Sequence, residues 1–219
     1  MQGDFPNPQT NSWNVTVLST YSGGVTIQVY AVCFLNTGTP PLRLTAASVM
    51  YQSQSVLIAP ALTSVRGTAV AQCPSGFTPA GGGYHVQRAN GSGPIQAAVL
   101  TSAPATTGVG TVWGVAAINV DRYAALLTAS VVCVNSQLTT MMLRATYTVP
   151  TASPLSLRCP SPLLVASSGL NRSLLRGSWP FFTPGSLDDA PSSQSSWSQR
   201  VSATVATSYT LYVMCVRPT

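Results

Sequence analysis

The sequence predicts an all-β protein built from tandem sandwich-like modules, and three observations lead to this fold class. Apolar and polar residues alternate with period two in several segments, as is typical of half-buried strands. A segment that starts at Trp and ends at Cys occurs three times, at residues 13–33, 113–133 and 197–215. A Cys-Pro motif precedes the second and third copies, so its cysteine and the cysteine that ends the copy bracket one module and predict an intramodule disulfide.

The composition indicates a folded chain with few charges. Hydrophobic residues make up 45% of the 219 residues and charged residues 6%, with ten Arg, no Lys, four Asp and no Glu. The arginines are spread singly from Arg43 to Arg217, so the net charge of +6 forms no basic stripe of the kind that binds nucleic acid. No apolar run approaches the roughly 18 residues of a membrane span. We therefore predict neither a nucleic-acid partner nor a membrane span.

The first copy begins after a Pro-rich and Asn-rich arm. Alternation from Trp13 to Leu18, a Ser-Gly-Gly turn and renewed alternation from Val25 to Cys33 predict a β-hairpin. The hairpin ends on an inward-facing cysteine.

The second and third copies repeat this design. In the second copy, residues 119–123 form the predicted turn, and four residues after it share one face: Leu127, Ala129, Val131 and Cys133. The third copy shows the same alternation up to Cys215. We predict a Trp-to-Cys hairpin in both copies, with period two excluding helices.

The Cys-Pro segments align without gaps, because Cys73-Pro-Ser matches Cys159-Pro-Ser and the register holds through Gly91-Ser and Gly177-Ser. Each pair of cysteines brackets one module. The predicted disulfides are Cys73 with Cys133 and Cys159 with Cys215, and each contributes on the order of 4 kcal/mol by loop-closure entropy. Cys33 is left over and is either free or linked to another subunit.

These repeats divide the chain into four parts. Residues 1–40 form a half module (the Trp/Cys hairpin), residues 41–61 an extra strand-like linker, and residues 62–134 and 135–219 two full modules. A hairpin alone is marginal in water, so something covers the half module. Two candidates stay open: the strand-like segment 48–59, or a strand donated by a neighbouring molecule through β-augmentation.

The order Cys-Pro-x-Gly, Gly-Gly-Gly, Trp-x-Val and Cys resembles a tandem module of secreted bacterial proteins. Cys73-Pro-Ser-Gly, Gly81-Gly-Gly, Trp113 and Cys133 carry this resemblance. The third copy follows it more loosely, because Pro162 replaces the glycine of the Cys-Pro motif. The resemblance implies an extracellular β-rich unit with a disulfide, and it brings no catalytic residue.

The candidate sites favour structural roles. His85 is the one general-base candidate, but it lies in a predicted strand without a nucleophile elbow, so Asp121 and a serine do not form a recognisable triad. Asp188 and Asp189 are too few for calcium and indicate a solvated loop. Gly81–Gly83 precede no helix, so a β-bend or bulge is predicted in place of a phosphate cradle. We predict no enzyme activity, no metal and no cofactor.

The aromatic residues Trp179, Phe181 and Phe182 are typical of either a subunit interface or a glycan-binding surface. The leading interpretation is a non-catalytic extracellular structural protein, the subunit of a surface filament or appendage that self-associates head to tail through β-strands. The alternatives are a carbohydrate-binding adhesion module that uses these aromatics, and a virion or tail structural protein.

Overall fold

A computed structural model describes residues 3–10, 12–16, 49–60, 65–91, 95–108, 110–135, 138–149, 155–160, 164–173, 187–193, 196–201 and 207–218. The described residues form fourteen strands and no helix, which confirms the all-β fold class. The strands are β1 (Gly3–Asn7), β2 (Ser12–Thr16), β3 (Val49–Ile58), β4 (Val65–Gln72), β5 (Phe77–Arg88), β6 (Ala97–Thr107), β7 (Gly110–Asn119), β8 (Ala125–Asn135), β9 (Leu138–Val149), β10 (Leu155–Arg158), β11 (Leu164–Ser173), β12 (Leu187–Ser193), β13 (Ser196–Val201) and β14 (Thr207–Pro218).

Two groups of six strands have the same topology, and we call them the second unit (β3–β8) and the third unit (β9–β14). In the second unit, β8 lies between β5 and β3, while β7 lies between β4 and β6. In the third unit, β14 lies between β11 and β9, while β13 lies between β10 and β12. Each unit is therefore a pair of three-stranded sheets. The hairpin of β1 and β2 is called the first unit.

Neighbouring units share sheets. The five-stranded sheet has the order β2-β1-β5-β8-β3, so it joins the first unit to the second. The six-stranded sheet has the order β4-β7-β6-β11-β14-β9, so it joins the second unit to the third. The order β2-β1-β5-β8-β3 has the same pattern as β7-β6-β11-β14-β9. Both connections between units thus follow one arrangement of strands.

The two described disulfides tie the two sheets of each unit together. Cys73 follows β4 and bonds to Cys133 in β8, and Cys159 follows β10 and bonds to Cys215 in β14. These are the pairs that the sequence predicts. They close chain segments of 60 and 56 residues, so each contributes on the order of 4 kcal/mol.

The core of the second unit lies between its two sheets. Trp113 is 1% exposed, and its indole packs over β5, where a Cβ added at Gly82 would lie 2.4 Å from the ring. The face of β8 predicted from the sequence is fully buried at Leu127, Ala129, Val131 and Cys133. The alternation of period two therefore identified the inward side of this strand correctly.

Between Leu211 and Val216, strand β14 has buried side chains on both faces. Leu211, Val213 and Cys215 pack with Cys159 inside the third unit, whereas Met214 joins the core of the second unit. The second and third units therefore share apolar contacts as well as a sheet.

The predicted Trp-to-Cys hairpin of the second copy is wrong. Strand β7, which contains Trp113, pairs with β4 and β6, whereas β8, which contains Cys133, pairs with β3 and β5. The buried Asn119 side chain holds the connection between them by donating to the carbonyl oxygens of Ala59 and Tyr123. The chain crosses from one sheet to the other because both strands bury one face in the same core. The third copy follows the same rule, with β13 and β14 in different sheets.

The strand-like segment 48–59 is described from residue 49 onward, and this part of it does not pair with β1 or β2. It forms β3, which pairs along ten positions with β8 at the edge farthest from β1 and β2. β3 occupies in the second unit the place that β9 has in the third. The division into residues 1–40, 41–61, 62–134 and 135–219 stays a prediction.

Within the described ranges, the chain has no helix of the length and apolarity that crossing a membrane requires.

Candidate functional site: the strand junctions between units

The first junction is the contact between β1 and β5. Gly3 pairs with His85 and Asp4 pairs with Tyr84 in an antiparallel ladder. The ring of Phe5 packs beside the His85 ring, with 5.0 Å between the centroids. The Trp13 indole N–H donates a hydrogen bond to the Asp4 carboxylate, which links β2 to the residue that meets β5.

Gly83 allows the backbone of β1 to approach β5 closely. A Cβ added at Gly83 would lie 1.7 Å from the carbonyl oxygen of Asp4 and 3.1 Å from the Cα of Phe5. Backbone atoms of a neighbouring strand cannot shift away as the end of a flexible side chain does. The first junction therefore requires glycine at this position.

The second junction is the contact between β6 and β11. Ser102 pairs with Leu170 and Thr101 pairs with Asn171, again in an antiparallel ladder. The Trp113 indole N–H donates to the Ser102 hydroxyl at 3.1 Å. Both junctions thus have the same two components. One is a ladder of two residue pairs, and the other is an indole hydrogen bond to β1 in the first junction and to β6 in the second.

We call β1 and β6 the inserting strands of the two junctions, and β5 and β11 the receiving strands. The ladder positions of the two receiving strands are equivalent in the sequence. Tyr84 and Leu170 are separated by the same number of residues as Cys73 and Cys159, and so are Gly83 and Gly169. In both strands, the residue that follows this glycine is the first of the two ladder positions.

The inserting strands match as well. Pro6 lies opposite Trp13, and Pro104 lies opposite Trp113. Asp4 and Ser102 each stand two residues before that proline and accept the indole hydrogen bond. One junction therefore occurs twice in the chain, with the same register and the same tryptophan.

A third strand carries the inserting pattern. In β12, Pro191 lies opposite Trp197, and Asp189 stands two residues before the proline and opposite Gln199. Asp189 has the register position of Asp4, because Asp4 lies opposite Val15, two residues after Trp13. Among the described residues, β12 pairs with β13 alone and ends its sheet.

The first junction contains two titratable groups that burial affects in opposite ways. Burial raises the pKa of the Asp4 carboxyl above its ordinary value of 3.8, and the hydrogen bond from Trp13 opposes this rise. Burial lowers the pKa of His85 below its ordinary value of 6.5. Both groups are therefore favoured in their neutral forms when β1 is docked on β5.

His85 and Asp121, the two residues considered for a catalytic triad, lie in different parts of the fold. His85 lies half-buried in β5, as predicted, between Gly3 and Phe5 of the first unit. Asp121 holds the connection after β7, because its carboxylate accepts hydrogen bonds from the backbone N–H groups of Gln96 and Tyr123 at 3.0 and 3.2 Å. Each residue thus serves a separate structural contact.

A cleft of about 460 Å³ lies beside the Cys73 disulfide, at the bend that contains Gly76. Gly76 has a φ of 83°, and the Phe77 N–H donates to the Pro74 carbonyl, as in a turn that requires glycine. The residues that line this cleft are uncharged: Gln72, Cys73, Pro74, Ser75, Gly76, Phe77, Thr78, Pro79, Gly110 and Thr111. In the part of the chain with described coordinates, no three His, Cys, Asp or Glu side chains come together as a metal site.

The remaining predicted residues have varied outcomes. Gly81–Gly83 lie in β5 directly after a bulge between Pro79 and Gly81, which confirms the bulge interpretation. Asp188 and Asp189 lie in strand β12, so their assignment to a loop is wrong. Cys33, Trp179, Phe181 and Phe182 lie outside the described residues, so the state of Cys33 and the role of the aromatics stay predictions.

The sequence contains a signal for the junctions that the repeat of Trp and Cys did not reveal. Asp4-Phe-Pro, Ser102-Ala-Pro and Asp189-Ala-Pro all precede a tryptophan of the repeat. Proline lacks a backbone N–H and is therefore confined within sheets to edge strands, strand starts and bulges. A proline that recurs before each tryptophan of the repeat thus indicates a strand that is not fully paired on both sides. The pattern identifies the inserting strand, but only the ladder registers show which strand receives it.

Comparison with known proteins identifies no family for this chain, since no protein-family model and no curated protein matches it. The resemblance to tandem modules of secreted bacterial proteins therefore stays a prediction.

Proposed function

We propose that this protein is a non-catalytic structural protein that assembles head to tail through β-strand contacts, as the subunit of a surface filament or appendage. The observation that carries the proposal is the repetition of one junction, first between β1 and β5 and again between β6 and β11. In both cases a strand of one unit pairs with a different strand of the next unit.

Such a contact is heterologous, because the two surfaces that meet are not the same. A heterologous contact that does not close into a ring produces an open array. Three consecutive units of this chain already follow that rule, and β12 carries the inserting pattern once more. Copies of the chain continue the array by the same type of contact.

The proposed extracellular location rests on different evidence. The second and third units each contain a disulfide between their sheets, and such bonds persist in oxidising compartments. The scarcity of charge, with four acidic and ten basic residues, is also in keeping with a protein whose surface is largely covered by copies of itself.

The test is the mass and shape of the native protein. We expect regular fibres in negative-stain images, and light scattering after size-exclusion chromatography should give a mass that rises with protein concentration. The Cys33→Ser variant is the matched control, because strand contacts predict fibres with or without this thiol. A compact monomer at every concentration, in both proteins, would contradict the proposed function.

A further inference from the structure

We propose that β12 pairs with β5 of a second copy of this chain, at the ladder positions that β1 occupies in a single copy. The inference deepens the proposed function and rests on it, because it names the two strand edges that join one subunit to the next. Asp189 would lie opposite Tyr84 of the second copy, and Asp188 opposite His85, in the register of the first junction.

The similarity of β12 to β1 supports this choice of partner. Both strands place an aspartate two residues before a proline that lies opposite a tryptophan of the repeat. The third inserting strand, β6, has Ser102 at this position and pairs with β11. Since β12 and β1 share the aspartate, the strand that receives β1 is the one that fits β12.

Both receiving positions within one copy are filled. β5 holds β1 at Tyr84 and His85, and β11 holds β6 at Leu170 and Asn171. β12 of one copy therefore reaches a second copy by replacing an inserting strand.

β1 is the strand that is replaced more easily. β6 lies inside a six-stranded sheet and pairs with β7 along ten positions, and its removal from β11 would break the sheet that joins the second unit to the third. β1 belongs to a hairpin that pairs with β5 at two positions. Among the described residues, exchange of β1 for β12 replaces one two-pair ladder with another of the same length. The first unit thus covers the polymerising edge of β5 until another copy takes its place.

Cross-linking between copies tests the register. In a Cys33→Ser background, protein with Asp188→Cys is mixed with protein that carries His85→Cys, and the mixture is oxidised. Directly opposed residues of antiparallel strands have Cα atoms about 4.5–5.5 Å apart, which suits a disulfide. We expect at least tenfold more linked heterodimer than with Ser193→Cys in place of Asp188→Cys, because position 193 lies beyond the two-pair ladder. Peptide mapping of the heterodimer identifies the bond.

A lock on the first unit provides the second test. The variant with Gly3→Cys and His85→Cys places two thiols at partner positions of the first junction, so oxidation fixes β1 on β5. We expect the oxidised lock to reduce assembly at least tenfold, and the same protein to assemble again after mild reduction of the engineered bond. The reduced protein serves as the control for folding.

The outcomes separate the two proposals. Fibres of the unmodified protein with no cross-link between positions 188 and 85, and with a lock that assembles normally, would overturn the assignment of β12 and β5 while leaving the proposed function intact. A cross-link in a protein that forms no fibres would support the edge contact and contradict the filament. Absence of both fibres and cross-link would overturn both proposals.

Discussion

At the first junction the indole hydrogen bond is accepted by the Asp4 carboxylate, whereas at the second junction it is accepted by the Ser102 hydroxyl. The ladders have the same register, and the tryptophans lie opposite equivalent prolines. The junction is thus determined by the backbone register and the tryptophan, while the acceptor group varies. The variation has an electrostatic consequence, since a partly buried carboxylate such as that of Asp4 loses hydration when it ionises and a neutral hydroxyl does not.

The largest expected difference between the junctions concerns their tryptophans. Trp113 is 1% exposed in the core of the second unit, whereas Trp13 is half-buried. We expect Trp113→Ala to lower the free energy of unfolding by about 3–5 kcal/mol and Trp13→Ala by about 1–2 kcal/mol. Urea denaturation followed by far-UV circular dichroism measures both values. Equal losses would contradict the difference in burial between Trp113 and Trp13.

An intermediate effect is expected at the close approach of β1 to β5. Gly83→Ala places a methyl group where the Asp4 carbonyl lies, so we expect β1 to leave β5. Hydrogen exchange of the β1 and β2 amides should accelerate at least tenfold.

Gly114→Ala is the matched control for this variant. It also lies in a strand, but its added Cβ would meet one atom, the Ala103 carbonyl oxygen, at an ordinary 3.8 Å. We expect exchange in β1 and β2 to stay unchanged in the control. Equal exchange in the two variants would show that β1 does not depend on Gly83.

The smallest expected effect comes from making the first junction chemically like the second. The folded-state pKa of Asp4 is raised, so its contribution to stability is fully present below 3.8 and is lost as pH rises through the raised pKa. Asp4→Ser removes this loss, so we expect a stabilisation on the order of 1 kcal/mol at pH 7, or roughly 2–4 °C in the melting temperature. Near pH 3.5 the advantage should disappear. Differential scanning calorimetry at the two pH values measures it.

His85 does not disturb this comparison. Its pKa is lowered, so its contribution is present above 6.5 and is lost as pH falls through the lowered pKa. Because both proteins contain His85, this effect cancels in their difference. Ser102→Asp is the reciprocal variant and should destabilise the protein at pH 7. A gain from Asp4→Ser that is the same at both pH values would exclude ionisation of the Asp4 carboxyl as its cause.

Much of the fold could be predicted because it depends on short-range patterns. Alternation of apolar residues identified strands and the buried face of β8, and the bracketing cysteines identified both described disulfides. The prediction was wrong about which strands pair with each other, because it paired β7 with β8. Alternation shows which residues share a face, but it is equally compatible with a hairpin and with two strands in opposite sheets. The connection between β7 and β8 is held by the Asn119 side chain, which donates to the carbonyl oxygens of Ala59, far away in the sequence, and of Tyr123, close by. The alternation of apolar residues does not reveal such contacts.

The sequence by itself determined the β-strand character of the chain, its repeated units and the cysteine pairs, because each of these depends on residue type and spacing. Only the tertiary structure decided that β1 pairs with β5 and β6 with β11, and that Gly83 is the point of close approach. Ladder pairing depends on backbone hydrogen-bonding groups that every strand presents. Its partners are therefore chosen by how whole sheets pack, and not by the residues of either strand alone.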